Sequence, residues 1–183
     1  MMRSILLVIM ICCFFSCKDD VLPKPNALLR LDFPEAEYQV WEKECPFGFE
    51  SNTIASVTSG NDCSLTVDYP MMKGSIYITY KKVDANLNQL LTDAQKLSYE
   101  HVVKADNILE QPFLNEKDKV YGMFYEVTGN AASQSQFYAT DSLNHFVTGS
   151  LYFYAKPNYD SIYPAAIYLQ KDIRRIMESL KWQ

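Results

Sequence analysis

The sequence predicts an α+β domain in which a mostly antiparallel sheet is covered by two long amphipathic helices. Several segments rich in β-branched and aromatic residues follow one another with only short turns between them, which favours antiparallel pairing of neighbouring strands. Two longer segments place their apolar residues at helical spacing instead. Helices that each carry one apolar stripe bury it against a sheet, so both are expected to cover the strands.

Three strands are predicted before the first helix, at 38–43, 65–69 and 74–80. The stretches YQVWEK and GSIYITY alternate or are rich in β-branched and aromatic residues, as strands are. The helix begins after Asp84 or Asn86, either of which can cap it, and extends for about eighteen residues. Its apolar stripe consists of Leu87, Leu90, Leu91, Ala94, Leu97 and His101.

Four more strands are predicted at 108–113, 120–128, 135–140 and 145–155, separated by turns rich in Asn, Asp and Gly. Adjacent strands joined by such short turns pair with each other, which extends the antiparallel sheet. The side chains expected to face the core are Tyr125, Val127, Phe137, Phe146, Leu151 and Phe153.

The last predicted element is a second helix, which begins at Asp160 or Ser161 with Pro164 in its first turn. Near its C-terminal end, where the helix dipole favours cations, lie Arg174, Arg175 and Lys181. Its apolar stripe is formed by Ala166, Leu169, Ile173, Ile176 and Leu180. The resulting order of strands and helices is similar to the PsbP and Mog1-like fold, an analogy that implies no activity.

The N-terminal residues 5–15 read ILLVIMICCFF, an uncharged run behind Arg3. As a helix this run is about 16 Å long, too short for a hydrocarbon core of roughly 30 Å. Its length and flanks are typical of a secretory signal. A cysteine after a small residue, Ser16-Cys17, resembles a bacterial lipobox, which implies cleavage before Cys17 and diacylglycerol on its thiol, with acyl chains such as palmitate. The alternatives are an uncleaved anchor or an ordinary signal with an incidental cysteine.

Three regions follow from this interpretation. Residues 1–16 are predicted to be a lipoprotein signal peptide, and residues 17–36 a lipidated N-terminus with a proline-containing tether. Residues 37–183 are predicted to form one domain, a length sufficient for a single core. The formal net charge of −5 comes without a cluster of Lys and Arg, which argues against binding to nucleic acid.

Two cysteines, Cys45 and Cys63, remain after the N-terminal ones are assigned to the signal and the lipid. In an oxidising compartment they are candidates for a disulfide, and two buried free thiols are the alternative. A metal site is not predicted, because neither a CxxC motif nor a histidine lies near them.

No catalytic residue, cofactor or metal is predicted from the motifs. His101 lies on the stripe of the first helix, as a structural histidine does. His145 follows Asp141 and Ser142, but a Ser-His-Asp triad is normally assembled from distant segments around an oxyanion hole. Paired carboxylates brought together by the fold stay open, because their spacing leaves no trace in the sequence.

Tyrosines are candidates for a binding surface. Tyr152 and Tyr154 lie on one face of the last predicted strand, and Tyr138 can join them to form an amphipathic patch of the kind enriched at protein interfaces. The alternative is that a helix covers that face and the tyrosines are simply packed. Separately, Ser142 and Ser161 lie in sequences that resemble the Asp-Ser-apolar pattern at which Bacteroidetes attach O-glycans to exported proteins.

Three segments of the C-terminal third, at 128–138, 144–161 and 171–178, resemble the gliding-motility lipoprotein GldD of Bacteroidetes. Cys17-Lys18-Asp19-Asp20 with its tether, and the stretch KGSIYI at 73–78, extend the similarity over nearly all of the mature chain. The resemblance implies an envelope lipoprotein needed for gliding and for type IX secretion, with other gliding and secretion proteins as partners. It implies a lipid anchor in the outer membrane or at the cell surface, and Cys17 is the only functional residue that it carries over.

Three functions are consistent with these observations. The first is a non-enzymatic, membrane-anchored component that acts through protein-protein interaction. The second is an envelope hydrolase that acts on glycans, which needs two carboxylates about 5 to 10 Å apart in a pocket. The third is a small-ligand-binding lipoprotein, which needs an apolar pocket between helix and sheet.

Overall fold

The computed structural model describes residues 31–43, 45–60, 62–100, 104–154 and 158–183. Within these ranges the chain forms ten strands and two α-helices. The first five strands are β1 (Tyr38–Trp41), β2 (Phe47–Asn52), β3 (Ser56–Ser59), β4 (Leu65–Tyr69) and β5 (Gly74–Lys82). The helix α1 (Leu87–Tyr99) follows, and then come β6 (Ala105–Asn115), β7 (Val120–Gly129), β8 (Ser133–Thr140), β9 (His145–Phe153), α2 (Tyr159–Glu178) and β10 (Lys181–Trp182).

Seven strands form the main sheet, in the order β3-β4-β5-β9-β8-β7-β6. Every pairing in it is antiparallel, which confirms the predicted α+β class. In the register of β5 with β9, Gly74 lies opposite Phe153 and Lys82 lies opposite His145. These pairs define the two ends of the sheet, named here the Gly74 end and the His145 end.

A second, three-stranded sheet has the order β1-β2-β10 and packs against the main sheet. The ring of Trp182 in β10 stacks on His145, with 5.2 Å between centroids, so β10 lies at the His145 end. Asn52, at the opposite end of β2, bonds to α2 close to Tyr69, which pairs with Gly74. The small sheet therefore extends along the main sheet, with β1 beginning at the Gly74 end.

The core fills the space between the main sheet, the small sheet and α2. Alternate residues of β5 and β9 point into it, among them Ile76 and Leu151, which are fully buried. Four residues of the predicted stripe, Ala166, Leu169, Ile173 and Ile176, are buried on α2, and the fifth, Leu180, is buried but lies beyond the end of the helix. The apolar side chains of α2 pack directly on the strands over most of this space. A small cavity of about 140 Å³ remains between α2 and strands β7 and β8, so the expectation of a ligand pocket between helix and sheet stays open.

The expectation that two long helices cover the sheet is only half right. α1 has 13 residues, and its buried positions are Ala94 and Ser98. Leu97 is 37% exposed, because α1 packs over Val83 and Phe146 and does not enter the main core. The predicted position His101 lies outside the described residues. The analogy with the PsbP and Mog1-like fold stays a prediction.

The ends of α2 also differ from the prediction. The N-cap is Asn158 rather than Asp160 or Ser161, so Pro164 falls in the second turn. The helix ends at Glu178, where the backbone N–H of Ser179 bonds to the carbonyl of Arg175. Lys181 is therefore part of β10 and does not extend the helix, because it pairs with Gly48 of β2.

The predictions missed three strands, β2, β3 and β10. β2 has the sequence FGFESN and is buried on both faces along most of its length, so it lacks the alternation that identified its neighbours. β3 and β10 have four and two residues, too few for a periodic signal.

A buried carboxylate joins α2 to the small sheet. Asp172 is 1% exposed and accepts hydrogen bonds from the hydroxyl of Tyr38 at 2.7 Å and from Nδ2 of Asn52 at 2.9 Å. The same amide also donates to the hydroxyl of Tyr168 at 3.0 Å. Burial raises the pKa of Asp172 above its ordinary value, and the hydrogen bonds only partly offset that effect.

Cys45 and Cys63 form a disulfide in the structure, with an S–S distance of 2.18 Å and 5.6 Å between Cα atoms. Cys45 lies just before β2 and Cys63 just before β4, so the bond links the small sheet to the main sheet.

Replacing both cysteines, Cys45→Ser with Cys63→Ser, is expected to lower the free energy of unfolding by about 3 kcal/mol, because the unfolded chain regains the freedom of the closed loop. Urea denaturation of the two proteins measures the difference. Reductant should bring the wild-type protein to the stability of the variant and leave the variant unchanged. A wild-type protein whose unfolding midpoint is insensitive to reductant would contradict this expectation.

Candidate interaction surface

An exposed group of tyrosines lies on the face of the main sheet opposite α2, toward the Gly74 end. It comprises Tyr77, Tyr152 and Tyr154, with Asp68 and Ser75 among them, and is named here the tyrosine surface. The alternation of β5 and β9 produces it: Ile76, Ile78 and Leu151 point into the core, and the residues between them point away. Tyr77 is 40% exposed and Tyr154 is 59% exposed.

Short contacts hold this group in a fixed arrangement. The rings of Tyr77 and Tyr152 meet edge to face, with 5.9 Å between centroids. The hydroxyl of Ser75 donates to the Asp68 carboxylate at 2.5 Å and lies 2.5 Å from the hydroxyl of Tyr154. The Tyr154 hydroxyl also lies 3.4 Å from that of Tyr77. The surface therefore presents aromatic rings whose orientation is set before any partner binds, which lowers the entropy lost on binding.

The phenols of Tyr77 and Tyr152 stay protonated in neutral solution. The hydrogen bond to Tyr154, together with burial, raises the pKa of Tyr77 above its ordinary value. Burial raises the pKa of Tyr152 in the same direction. Both can donate hydrogen bonds, and Asp68 supplies an acceptor beside them, so the surface can pair with backbone or side-chain polar groups as well as apolar ones.

Tyr138, the third tyrosine predicted for the patch, is separated from the other two. Its ring stacks on Phe146, with 5.8 Å between centroids and 9° between planes, and lies 6.5 Å from the ring of Tyr125. It packs against the small cluster beneath α1. The helix thus covers the β8 side of this face and leaves the tyrosine surface open.

Tyr77 was not among the predicted site residues. The alternation of GSIYITY indicates that it shares a face with Ser75, and that signal was available in the sequence. The pairing of β5 with β9 could not be predicted from local pattern, because α1 and three strands separate them in the chain. That pairing sets Tyr77 opposite Ser150 and brings it against Tyr152.

The predicted modification sites have different surroundings. Ser142 is exposed in the turn between β8 and β9, in the left-handed region at φ 67°. Ser161 is exposed in the first turn of α2, and its hydroxyl donates to the carbonyl of Asn158 at 2.9 Å. Cys17 lies outside the described residues.

The side chains of His145 and Asp141 each contact groups outside the Ser-His-Asp set. Nδ1 of His145 lies 2.9 Å from the hydroxyl of Tyr80, and its ring stacks on Trp182. The Asp141 carboxylate accepts hydrogen bonds from the backbone N–H groups of Leu143, Asn144 and His145, at 2.8 to 3.0 Å. Burial alone would raise the pKa of Asp141, but these bonds outweigh it and lower the pKa.

Two carboxylates, Asp118 and Asp141, line a shallow hollow at the His145 end together with three lysines. A glycosidase needs a proton donor whose pKa is raised, and the pKa of Asp141 is lowered. Asp118 bonds to Nδ2 of Asn115 at 2.9 Å, as part of the turn between β6 and β7. Both carboxylates therefore have structural roles in turns.

Within the described ranges, no three His, Cys, Asp or Glu side chains gather closely enough to hold a metal ion. Neither of the two described helices is long and apolar enough to cross a membrane.

A family model described as gliding motility lipoprotein GldD matches residues 18–182, which is nearly the whole chain. A search of curated proteins finds no match.

Proposed function

Because the chain belongs to the family of gliding motility lipoproteins described as GldD, we propose that it is a membrane-anchored component of the gliding apparatus that acts by binding other envelope proteins. The family match to residues 18–182 is the observation that carries this proposal. Support of type IX secretion is part of the same proposal.

The anchor is proposed to be diacylglycerol on Cys17. The family is one of lipoproteins, which implies anchoring in the cell envelope, and its match begins at the residue after Cys17. Each acyl methylene buried in a bilayer contributes about 0.8 kcal/mol, so two or three chains hold the protein firmly. The outer membrane or the cell surface is the proposed location.

The tyrosine surface is the proposed contact with a partner protein. Tyrosine is enriched at protein interfaces because it combines a large apolar ring with a hydroxyl and loses little conformational entropy. Tyr77 and Tyr152 are already held in place by each other and by Ser75, Asp68 and Tyr154. An arrangement of this kind suits a partner that inserts apolar side chains between the rings and bonds to the hydroxyls.

The proposed role is not enzymatic. His145 and Asp141 are each committed to structural contacts, which supports this view. A folded His145→Gln protein that fails to support gliding would contradict it.

We expect the paired substitution Tyr77→Ala with Tyr152→Ala to weaken partner binding by 2 kcal/mol or more, roughly 30-fold, if these rings are the centre of the interface. A strain that lacks the protein would be complemented with the variant and scored for gliding, for secretion, and for partners captured by crosslinking in living cells. Loss of gliding together with loss of the captured partner is the expected result.

The matched control is Tyr163→Ala with Tyr159→Ala on α2. Tyr163 is 36% exposed, close to the 40% of Tyr77, and its ring meets Tyr159 edge to face at 5.5 Å. This pair therefore has the same chemistry on another surface. The interaction proposal is wrong if the Tyr77 and Tyr152 variant, present in the membrane at normal level, glides and captures the partner as well as the control does.

A further inference from the structure

Both ends of the main sheet expose large apolar side chains, and Leu114 at the His145 end is 71% exposed. Met71, at the Gly74 end, is 87% exposed and is the most exposed large apolar side chain of the described residues. Leu143, in the turn before His145, is 71% exposed at the other end. Nine paired residues of β5 and β9 separate these two positions, a distance of about 30 Å.

Met71 belongs to a small apolar projection. A turn of 3₁₀ helix at Pro70–Met72 follows β4, and Lys73 in the left-handed region at φ 50° ends it. This turn points Met72 into the core, where it is 8% exposed, and leaves Met71 in solvent. Ile54, 38% exposed, lines the same small hollow as Pro70 and Met71. These three residues, Ile54, Pro70 and Met71, are named here the methionine tip.

The N-terminal segment enters the fold beside this tip. Tyr38, the first residue of β1, pairs with Asn52, and the backbone N–H of Thr53 bonds to the carbonyl of Glu37 at 2.8 Å. Ile54 is the next residue, and its N–H bonds to Oδ1 of Asn52 at 3.2 Å. The chain that leads from Cys17 therefore reaches the domain at the end that carries Ile54 and Met71.

We propose that the methionine tip inserts into the membrane interface next to the lipid anchor. This inference rests on the proposed lipidation of Cys17. The fifteen residues from Cys17 to Leu31 reach at most about 50 Å, so the anchor keeps the domain close to the bilayer but does not orient it. A tip of exposed Met and Ile beside the attachment point supplies the orientation, because apolar side chains gain free energy on leaving water for the boundary between headgroups and acyl chains.

The anchor makes even a weak insertion effective, because it raises the local concentration of membrane around the tip. The charged residues near the methionine tip indicate which lipids are sufficient for its insertion. Residues 17–37, which lead into the domain, contain five acidic and three basic side chains, and Lys73 is the cation beside Met71. Electrostatic attraction to anionic lipid is therefore not the driving force, and uncharged lipid should bind the tip.

This orientation places the tyrosine surface near the bilayer. The backbone N–H of Tyr154 bonds to the carbonyl of Lys73 at 2.8 Å, so the surface begins where the tip ends. The His145 end points away from the membrane. A partner that binds the tyrosine surface would therefore be one that lies along the same membrane.

The experiment compares Met71→Trp with Leu143→Trp in the full-length protein. Each variant, purified from bacterial membranes, is reconstituted into phosphatidylcholine vesicles with and without brominated acyl chains, which quench tryptophan within the bilayer. The unsubstituted protein gives the emission of Trp41 and Trp182 to be subtracted. We expect the tryptophan at position 71 to be quenched at least about twofold more than the one at position 143, as for a side chain 5–10 Å deep. Equal quenching of the two would overturn the inference.

Mass spectrometry of the N-terminal peptide measures the fatty acid on Cys17 separately. Lipidated protein without extra quenching at position 71 would overturn the methionine tip alone. Protein that lacks fatty acid but is quenched at position 71 would overturn the proposed anchor and support the tip. Protein with neither property would overturn both.

Discussion

Asp172→Ala is expected to lower the free energy of unfolding by about 3 kcal/mol, a large part of the stability of an ordinary domain. The carboxylate is 1% exposed and accepts hydrogen bonds from Tyr38 and Asn52. Removing it leaves the Tyr38 hydroxyl without its acceptor and creates a cavity between α2 and the small sheet, and each of these effects is costly. Urea denaturation near pH 5 measures the loss.

The control is Asp160→Ala, which removes an exposed carboxylate from the first turn of the same helix. It should cost well under 1 kcal/mol, because the dipole interaction it removes is weak. A loss for Asp172→Ala no larger than that of the control would show that the buried network contributes nothing.

The same carboxylate gives the stability a characteristic dependence on pH. Its pKa is raised in the folded state, so the folded protein binds a proton that the unfolded chain has already released. The stability contributed by that proton is present in full below the ordinary pKa of 3.8 and is lost as the pH rises through the raised value. The difference in free energy of unfolding between wild type and Asp172→Asn should therefore fall over that interval and then level off. A difference that is constant with pH would contradict the raised pKa.

Asp172 also shows what sequence reasoning could not reach. It lies beside Leu169, Ile173 and Ile176 on α2, and a carboxylate next to an apolar stripe is usually exposed. Its partners Tyr38 and Asn52 lie 134 and 120 residues away, so only the packed fold brings them together. The stripe itself was predictable, because helical periodicity is a local property.

Some strands could likewise be predicted from local sequence pattern and others could not. β4, β5 and β9 have one face toward the core and one away from it, and alternation in the sequence identified them. β2 is buried on both faces and gave no alternation. The tyrosine surface lies between these cases: Tyr152 and Tyr154 share a face by alternation alone, while Tyr77 joins them only through the pairing of β5 with β9. Tyr138 was grouped with them because local pattern does not tell which part of a face a helix covers.

Gly149→Val is expected to lower the free energy of unfolding by about 3 kcal/mol. Gly149 lies in β9 at the centre of the main sheet and pairs with Phe137 of β8. The Phe137 ring occupies the space above the glycine, so that an added Cβ would stand 2.8 Å from both Cδ1 and Cζ of the ring. Phe137 is 3% exposed and belongs to the core under α2, so its ring can move only by displacing other buried side chains.

The neighbouring substitution Thr148→Val is the control, because it places the same β-branched side chain one residue away on the opposite face, where the site is only partly buried. It should change stability by less than about 1 kcal/mol. The two causes of a loss at Gly149, a clash with Phe137 or a general effect on the strand, are separated by a double-mutant cycle with Phe137→Ala. If the clash is the cause, the two losses combine to less than their sum, with a coupling of about 1 kcal/mol or more, because removing the ring makes room for valine. Additive losses would mean that the ring above Gly149 does not determine which residue this position accepts.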